Sequence, residues 1–280
     1  MSVVNTNTNA LRAEGALVQN TRRLDQAMAS LSTGKRINSA ADDAAGSAIG
    51  TKLATQSRSL NMAVRNTNDG ISMMQTADGA AGGIQNMLYR MKELAVQAVN
   101  DTYSAEERFV LNDEFQHLES QIRDTVANTT WSSTSLRPMK LLDGSLNGSG
   151  VATYHVGAMA GDGVAVTFAD FDLSAQPLTT ARSLSTASNA SNALTSIDGA
   201  INQVSSARAT WGAAMNRLVH AGDNATQVSR NLVESHSRIM DTDYAQATAD
   251  LARTMILNEA GSAMLSQANQ QPYYVLALLS

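Results

Sequence analysis

Residues 194–218, LTSIDGAINQVSSARATWGAAMNRL, set the terms on which the rest of the chain is read. Leu194, Ile197, Ile201, Val204, Trp211, Met215 and Leu218 fall on the a and d positions of a heptad, with Arg208 the one residue off pattern. Alternate steps of three and four gather apolar side chains into one narrow stripe. Such a stripe faces another helix rather than a broad globular core. Val228, Leu232 and Ile239 extend it beyond Gly222. The N-terminal stretch repeats the same spacing. Leu17, Leu24 and Leu31 are seven apart, with Met28 expected at the alternate position. After an interruption at Gly34 the stripe resumes at Leu53, Leu60, Val64, Ile71 and Met74, and Ile84, Met87, Leu88, Met91, Leu94 and Ala98 continue it. A turn at 100–104 then leads to a further helix carrying Leu111, Phe115, Leu118 and Ile122. Ser104 and Glu107 are spaced as a capping box at its start.

Proline punctuates the chain at three places only, Pro138, Pro177 and Pro272. Proline inside a helix costs about 3 kcal/mol, so residues 1–137 and 178–271 are free to form long helices. Between the first two prolines glycines crowd together and the apolar period shortens to two. Ala152, Tyr154 and Val156 alternate with polar neighbours, as do Val164, Val166 and Phe168. Gly161-Asp162-Gly163 lies between these runs and is expected to supply the positive φ of a hairpin turn. The fold class expected is therefore mainly α: an elongated antiparallel helical rod or coiled-coil bundle formed by the N- and C-terminal halves, with a small β-hairpin region in the middle. The expected divisions are terminal helices at 1–40 and 240–280, a helical rod at 41–137 and 178–239, and the β-hairpin region at 138–177.

Composition points the same way. Aromatics make up 4% of the 280 residues and charged residues 16%, with a net charge of −5. Few large rings leave little core volume per residue, which suits thin helices in contact. An acidic balance with scattered basic residues offers no surface for nucleic acid. The longest apolar run, 273–279, is far too short to span a membrane, so no membrane insertion is expected. The first ten residues have no apolar core of the kind a secretory signal needs.

The two ends share a peculiarity. Neither 1–10 nor 260–280 contains a charged side chain, although a solvated terminal helix normally carries charge on its outer face. The terminal apolar stripe comprises Leu17, Leu24 and Leu31 at one end. At the other it comprises Leu251, Ile256, Leu265, Val275, Leu276 and Leu279. Alone in water these ends bury too little surface to offset the entropy of ordering. They are therefore expected to be mobile in the monomer and to order when many copies pack them together, which predicts polymerisation.

No constellation for chemistry emerges. His117, His155, His220 and His236 occupy no nucleophile elbow and no metal-ligand spacing, and cysteine is absent. No cofactor is expected. Asp42-Asp43 reads as a helix start whose first-turn charge the helix dipole favours. Gly46-x-x-x-Gly50 reads as close helix packing, and Trp131 and Trp211 as packing anchors.

Several strings resemble one family. Leu31-Ser-Thr-Gly-Lys-Arg-Ile-Asn-Ser39, Ala41-Asp-Asp-Ala-Ala-Gly46, Asn68-Asp-Gly-Ile-Ser72 and Glu93-Leu-Ala-Val-Gln97 resemble the N-terminal signature of bacterial flagellins. Ser237-Arg-Ile-Met-Asp-Thr-Asp-Tyr-Ala245 and Ser266-Gln-Ala-Asn269 resemble the C-terminal block. Leu141-Leu-Asp-Gly144 and Val156-Gly-Ala158 resemble the small hairpin region. The likeness spans nearly the whole chain. It departs at Trp131–Lys140, which lacks the usual Phe-Asn-Gly, and at Tyr273-Tyr274.

The resemblance implies a filament subunit, not an enzyme, which polymerises with itself. It implies export through the flagellar type III apparatus without a cleaved signal peptide, and an extracellular place in the flagellum. Its implied partners are an export chaperone, cap and hook-junction proteins. The terminal helices would build an inner tube, and only about 40 residues separate Pro138 from Pro177, so outer domains are expected to be absent. A vertebrate innate immune receptor recognises many flagellins, and Arg90, Leu94, Gln97 and Glu114 match that motif. The alternatives are a hook–filament junction protein, a flagellin-derived surface adhesin, and an enzyme with a metalloprotease insert. The absence of H-E-x-x-H argues against the last.

Overall fold

The computed structural model describes residues 6–131, 139–171 and 183–277, the last six of these by backbone alone. Five helices dominate: α1 (Thr8–Thr33), α2 (Ala44–Val99), α3 (Ala105–Asn128), α4 (Ala187–Met240) and α5 (Tyr244–Ala277). Two small antiparallel pairs interrupt them, β1 (Thr130–Trp131) with β2 (Met139–Lys140) and β3 (Val151–His155) with β4 (Gly163–Thr167). The chain is mainly α with a small β region, as the periodicities require. Packing divides it into two units, residues 58–229 and residues 1–57 with 230–280.

The unit of residues 58–229 has a core of its own. Phe115 and Ile122 of α3, Met74, Ile84, Leu88 and Met91 of α2, and Ile197, Val204, Trp211 and Leu218 of α4 are buried together in one core. The α3 start is fixed as its spacing foretold. Ser104 Oγ accepts from the Glu107 N–H at 3.2 Å, and Glu107 Oε2 accepts from the Ser104 N–H at 2.8 Å. Arg208, the residue off the heptad, turns its guanidinium to α2. It donates to Asp78 Oδ1 and to Gln85 Oε1, both at 2.7 Å, across one heptad of that helix. Val228 does not continue the buried stripe. It is exposed, and the smaller Ala225 and Ser229 are buried instead.

The β3–β4 hairpin presents Ala152, Val164 and Val166 inward, with Tyr154 opposite Val164 in register. The turn differs from expectation. Neither Gly161 nor Gly163 takes a positive φ, because the connection is a longer loop rather than a two-residue turn. Asp162 Oδ2 closes that loop by accepting from the Met159 N–H at 3.0 Å.

The Tyr154 ring lies on α2 at Gly70, where an added Cβ would stand 2.7 Å from it. Its hydroxyl is 3.0 Å from Met73 Sδ. Burial pushes the Tyr154 phenol up to about 12. The neutral phenol is thus the form the fold holds, so this contribution is intact below the ordinary tyrosine value of about 10. It is lost as pH climbs from there through 12. A difference titration at the tyrosinate absorbance, wild type minus Tyr154→Phe, should show one phenol titrating near 12. A midpoint near 10 would refute the packing described.

Candidate assembly surface

The other unit is built from the two ends of the chain. α1 and α5 run antiparallel and meet along one seam at heptad spacing. Ala10, Ala13, Leu17, Asn20, Leu24, Ala27 and Leu31 face Ala247, Leu251, Thr254, Asn258, Gly261, Leu265 and Ala268. Three side chains reach across to main-chain carbonyls. Asn7 Nδ2 donates to Ala268 O at 2.7 Å, Asn20 Nδ2 to Thr254 O at 2.8 Å, and Thr242 Oγ1 to Ser30 O at 3.4 Å. Met28 is not on the seam. It is 54% exposed, and the smaller Ala27 takes the alternate position.

The segments joining this pair to α2 and α4 are those that carry the most distinctive sequence. Gly34 ends α1 with φ +70 and its N–H on Ser30 O at 2.9 Å. Only a residue without a Cβ enters that region freely. Its carbonyl accepts from the Thr242 N–H, and the Arg36 N–H donates to Met240 O at 2.7 Å. The Arg36 guanidinium also donates to Ile239 O, at the C-terminal end of α4, where the helix dipole favours a cation. The stretches around Lys35 and Asp241 are therefore paired antiparallel.

Asp42 and Asp43 serve this junction as structural groups. Asp42 Oδ2 accepts from the Ser39 and Asn38 N–H groups, which holds its carboxyl below the usual range. Asp43 Oδ1 accepts from the Gly46 N–H at 2.8 Å, capping α2. An added Cβ at Gly50 would stand 2.6 Å from Met240 Sδ, at the end of α4, whereas at Gly46 it would meet Ile37 and the capping Asp43, so only the second glycine of Gly46-x-x-x-Gly50 lies against another helix.

The decisive feature is how little this unit buries. Among its described residues the buried apolar side chains are Ile37 and Ala268. Leu17, Leu24, Leu31, Leu251 and Leu265 are half-buried on the seam. Outside it, Leu11 and Val18 stand exposed on α1, and Met255, Ile256, Leu257 and Met264 on α5. Ile256 belongs to no seam and is 66% exposed. Residues 255–257 point in three directions, since successive helical residues turn by about 100°. A helix apolar on all sides is one meant to be enclosed. Val275 and Leu276 are described by backbone only, and Leu279 lies outside the described residues.

The four receptor-motif residues do not form one surface. Arg90 is exposed and donates from Nε to Glu114 Oε1 at 2.8 Å and from Nη1 to Glu93 Oε2 at 3.1 Å. The bond to Glu114, then that to Glu93, raises its pKa above the ordinary guanidinium value. Gln97 is exposed on the same helix. Leu94 is wholly buried, at 0% exposure, in the core with Met91 and Ala98. It cannot be offered to a partner by the folded chain.

Among the described residues no cluster of three or more His, Asp or Glu side chains could hold a metal. No described helix is long and apolar enough to cross a membrane.

A unit with its own core, joined in sequence to a helix pair whose α5 exposes apolar side chains on each flank away from the seam, defines a subunit completed by others like it. Comparisons with known proteins agree. Residues 4–145 match the family model for the bacterial flagellin N-terminal helical region, and residues 194–279 match that for the C-terminal helical region. The flagellin of Halalkalibacterium halodurans is 41% identical over 278 residues, covering 99% of both chains. That of Bacillus subtilis is 37% identical over 306, again covering 99% of both. A flagellar filament core protein of Brachyspira hyodysenteriae is 32% identical over 283 residues, with the same coverage.

Among solved structures, Bacillus cereus flagellin aligns with TM-score 0.50 at 29% identity, covering 57% of this chain and 88% of that one. A putative flagellar hook-associated protein from Vibrio parahaemolyticus aligns with TM-score 0.57 at 11% identity, covering 71% and 100%, a likeness of fold alone. The chain belongs to the bacterial flagellin family. It is a structural subunit of the extracellular flagellar filament rather than an enzyme, and it polymerises with itself.

Proposed function

We propose that residues 1–40 and 240–280 form the inner tube of the filament, ordering fully when copies pack around them. Residues 41–137 and 178–239, with the hairpin region 138–177, form the layer outside it. The observation that carries this reading is the exposed apolar surface around α5 in a unit almost without a core. Charge supports it. The segments 1–57 and 230–280 together hold nine basic and nine acidic residues, whereas 58–229 holds eleven and sixteen. A terminal unit without net charge can be stacked closely without accumulating repulsion.

In this reading the chain is exported through the flagellar type III apparatus without a cleaved signal peptide. It meets an export chaperone, cap and hook-junction proteins on its way into the filament. Recognition by a vertebrate innate immune receptor falls to Arg90, Gln97 and Glu114, without Leu94.

The test is polymerisation induced by ammonium sulfate or by seeds, viewed by negative-stain microscopy. The whole chain is compared with one lacking residues 1–40 and 240–280. Long filaments from the first and none from the second are expected. Filaments from the shortened chain would refute the assignment of the ends.

A further inference from the structure

The chain has 13 methionines and no cysteine, so thioethers are its only oxidisable sulfur. In residues 58–229 several are sealed in the core, among them Met73, Met74 and Met91. On the terminal helix pair three stand open: Met28, Met255 at 49% and Met264 at 65% exposure. Met255 and Met264 are nine residues apart on α5, which places them on opposite flanks of that helix. Enclosing α5 on all sides buries both.

We propose that Met28, Met255 and Met264 are sulfoxidation positions that control assembly. A peroxide oxidises them in the free subunit, and a subunit so oxidised is not added to the polymer. This rests on the assembly role proposed above.

The chemistry is a two-electron oxygen transfer. The sulfur lone pair attacks one oxygen of hydrogen peroxide, the O–O bond breaks and an S–O bond forms. Sulfur is oxidised by two electrons, and the departing hydroxide takes the proton of the attacked oxygen and leaves as water. The product is polar where the thioether was apolar. Its oxygen must then be hydrogen-bonded or desolvated when the helix is enclosed. One turn to either side of Met255 stand Leu251, Ala252, Asn258 and Glu259, of which Asn258 alone offers an uncharged side-chain donor. Up to three such oxygens per subunit should raise the critical concentration for polymerisation tenfold or more. Oxidation therefore acts on growth, while subunits already assembled have these sulfurs covered.

The experiment treats the intact monomer with hydrogen peroxide, maps sulfoxides by mass spectrometry and measures the critical concentration. The same is done for the Met28→Leu, Met255→Leu, Met264→Leu triple variant, in which Met159 and Met62 remain as exposed methionines. The expected result is loss of assembly by oxidised wild type and retention by the oxidised triple variant. Should the triple variant itself assemble poorly, methionine sulfoxide reductase must restore assembly to oxidised wild type. Preformed filaments must show slower oxidation at the three positions than the monomer does.

Normal assembly by a chain carrying sulfoxide at Met255 and Met264 overturns the proposal. So does failure of the reductase to restore assembly, or equal loss in an oxidised triple variant that assembles normally before treatment. Equal oxidation rates in filament and monomer overturn it too. An untreated wild type that forms no filaments sinks the assembly role itself, and this proposal with it.

Discussion

Replacing Trp211 by alanine should destabilise residues 58–229 by about 3–5 kcal/mol, the usual cost of deleting a buried aromatic side chain. The indole is fully buried. Its ring centroid lies 5.7 Å from that of Phe168 and 5.9 Å from that of Phe171. Its Nε1–H donates to Thr167 O at 3.0 Å. One side chain thus joins α4 to the end of the hairpin by packing and by a hydrogen bond. For a unit of this size the melting temperature should fall by roughly 6–20 °C, read by circular dichroism on the whole chain. Trp211→Phe keeps a ring and forfeits the hydrogen bond, so about 1–3 kcal/mol is expected from the unpaired carbonyl and lost volume. A Trp211→Ala melt within a degree of wild type would show that the hairpin is not anchored there.

An acidic substitution at Ile256 should abolish filament formation and leave the 58–229 core untouched. Ile256 makes no seam contact with α1 in the subunit, so Ile256→Asp removes little from the folded monomer. Enclosing that carboxylate among apolar neighbours costs several kcal/mol, far more than an assembly contact can absorb. Leu265→Asp is the informative companion. Leu265 is half-buried on the seam with α1, so its substitution should also open the helix pair and increase proteolysis of the ends. Ile256→Asp filaments at wild-type concentrations would mean that this flank of α5 faces solvent in the polymer.

Much of the fold was legible because helix-on-helix packing writes itself into sequence at 3–4 spacing. The turns of chain where it was misread have one physical cause. Helices that approach closely bury small side chains, and hydropathy undervalues those. Counting a heptad by apolar size favours Met28 over Ala27, and Val228 over Ala225 and Ser229, yet the smaller side chains are the more buried. Asn20 is buried on the seam, where its amide reaches a carbonyl of the opposite helix, and no apolar pattern can announce such a residue.

Leu94 presents a different conflict. Its spacing from Met91 and Ala98 marks it as a core residue, which it is, whereas a place in a receptor motif requires it to be accessible. Arg208 shows the reverse. Its departure from the heptad was visible in sequence, whereas its partners Asp78 and Gln85 lie about 130 residues away. The Arg36 N–H on Met240 O and the Arg36 guanidinium on Ile239 O join groups more than 200 residues apart and leave no local trace. It nevertheless explains why the two most distinctive strings of the chain occur together.

The seam bond between Asn20 and Thr254 closes a loop of 234 residues, and this sets an order of events in folding. Residues 58–229 are contiguous and can collapse without either end of the chain. The terminal unit cannot begin to form until both ends are present. Closing so long a loop in an open chain is entropically costly and slow. Once residues 58–229 have folded, much of that loop is already compact and the remaining search is shorter. The paired terminal helices are therefore the last part of each subunit to mature, so the surface they present jointly for assembly forms only after residues 58–229 have folded.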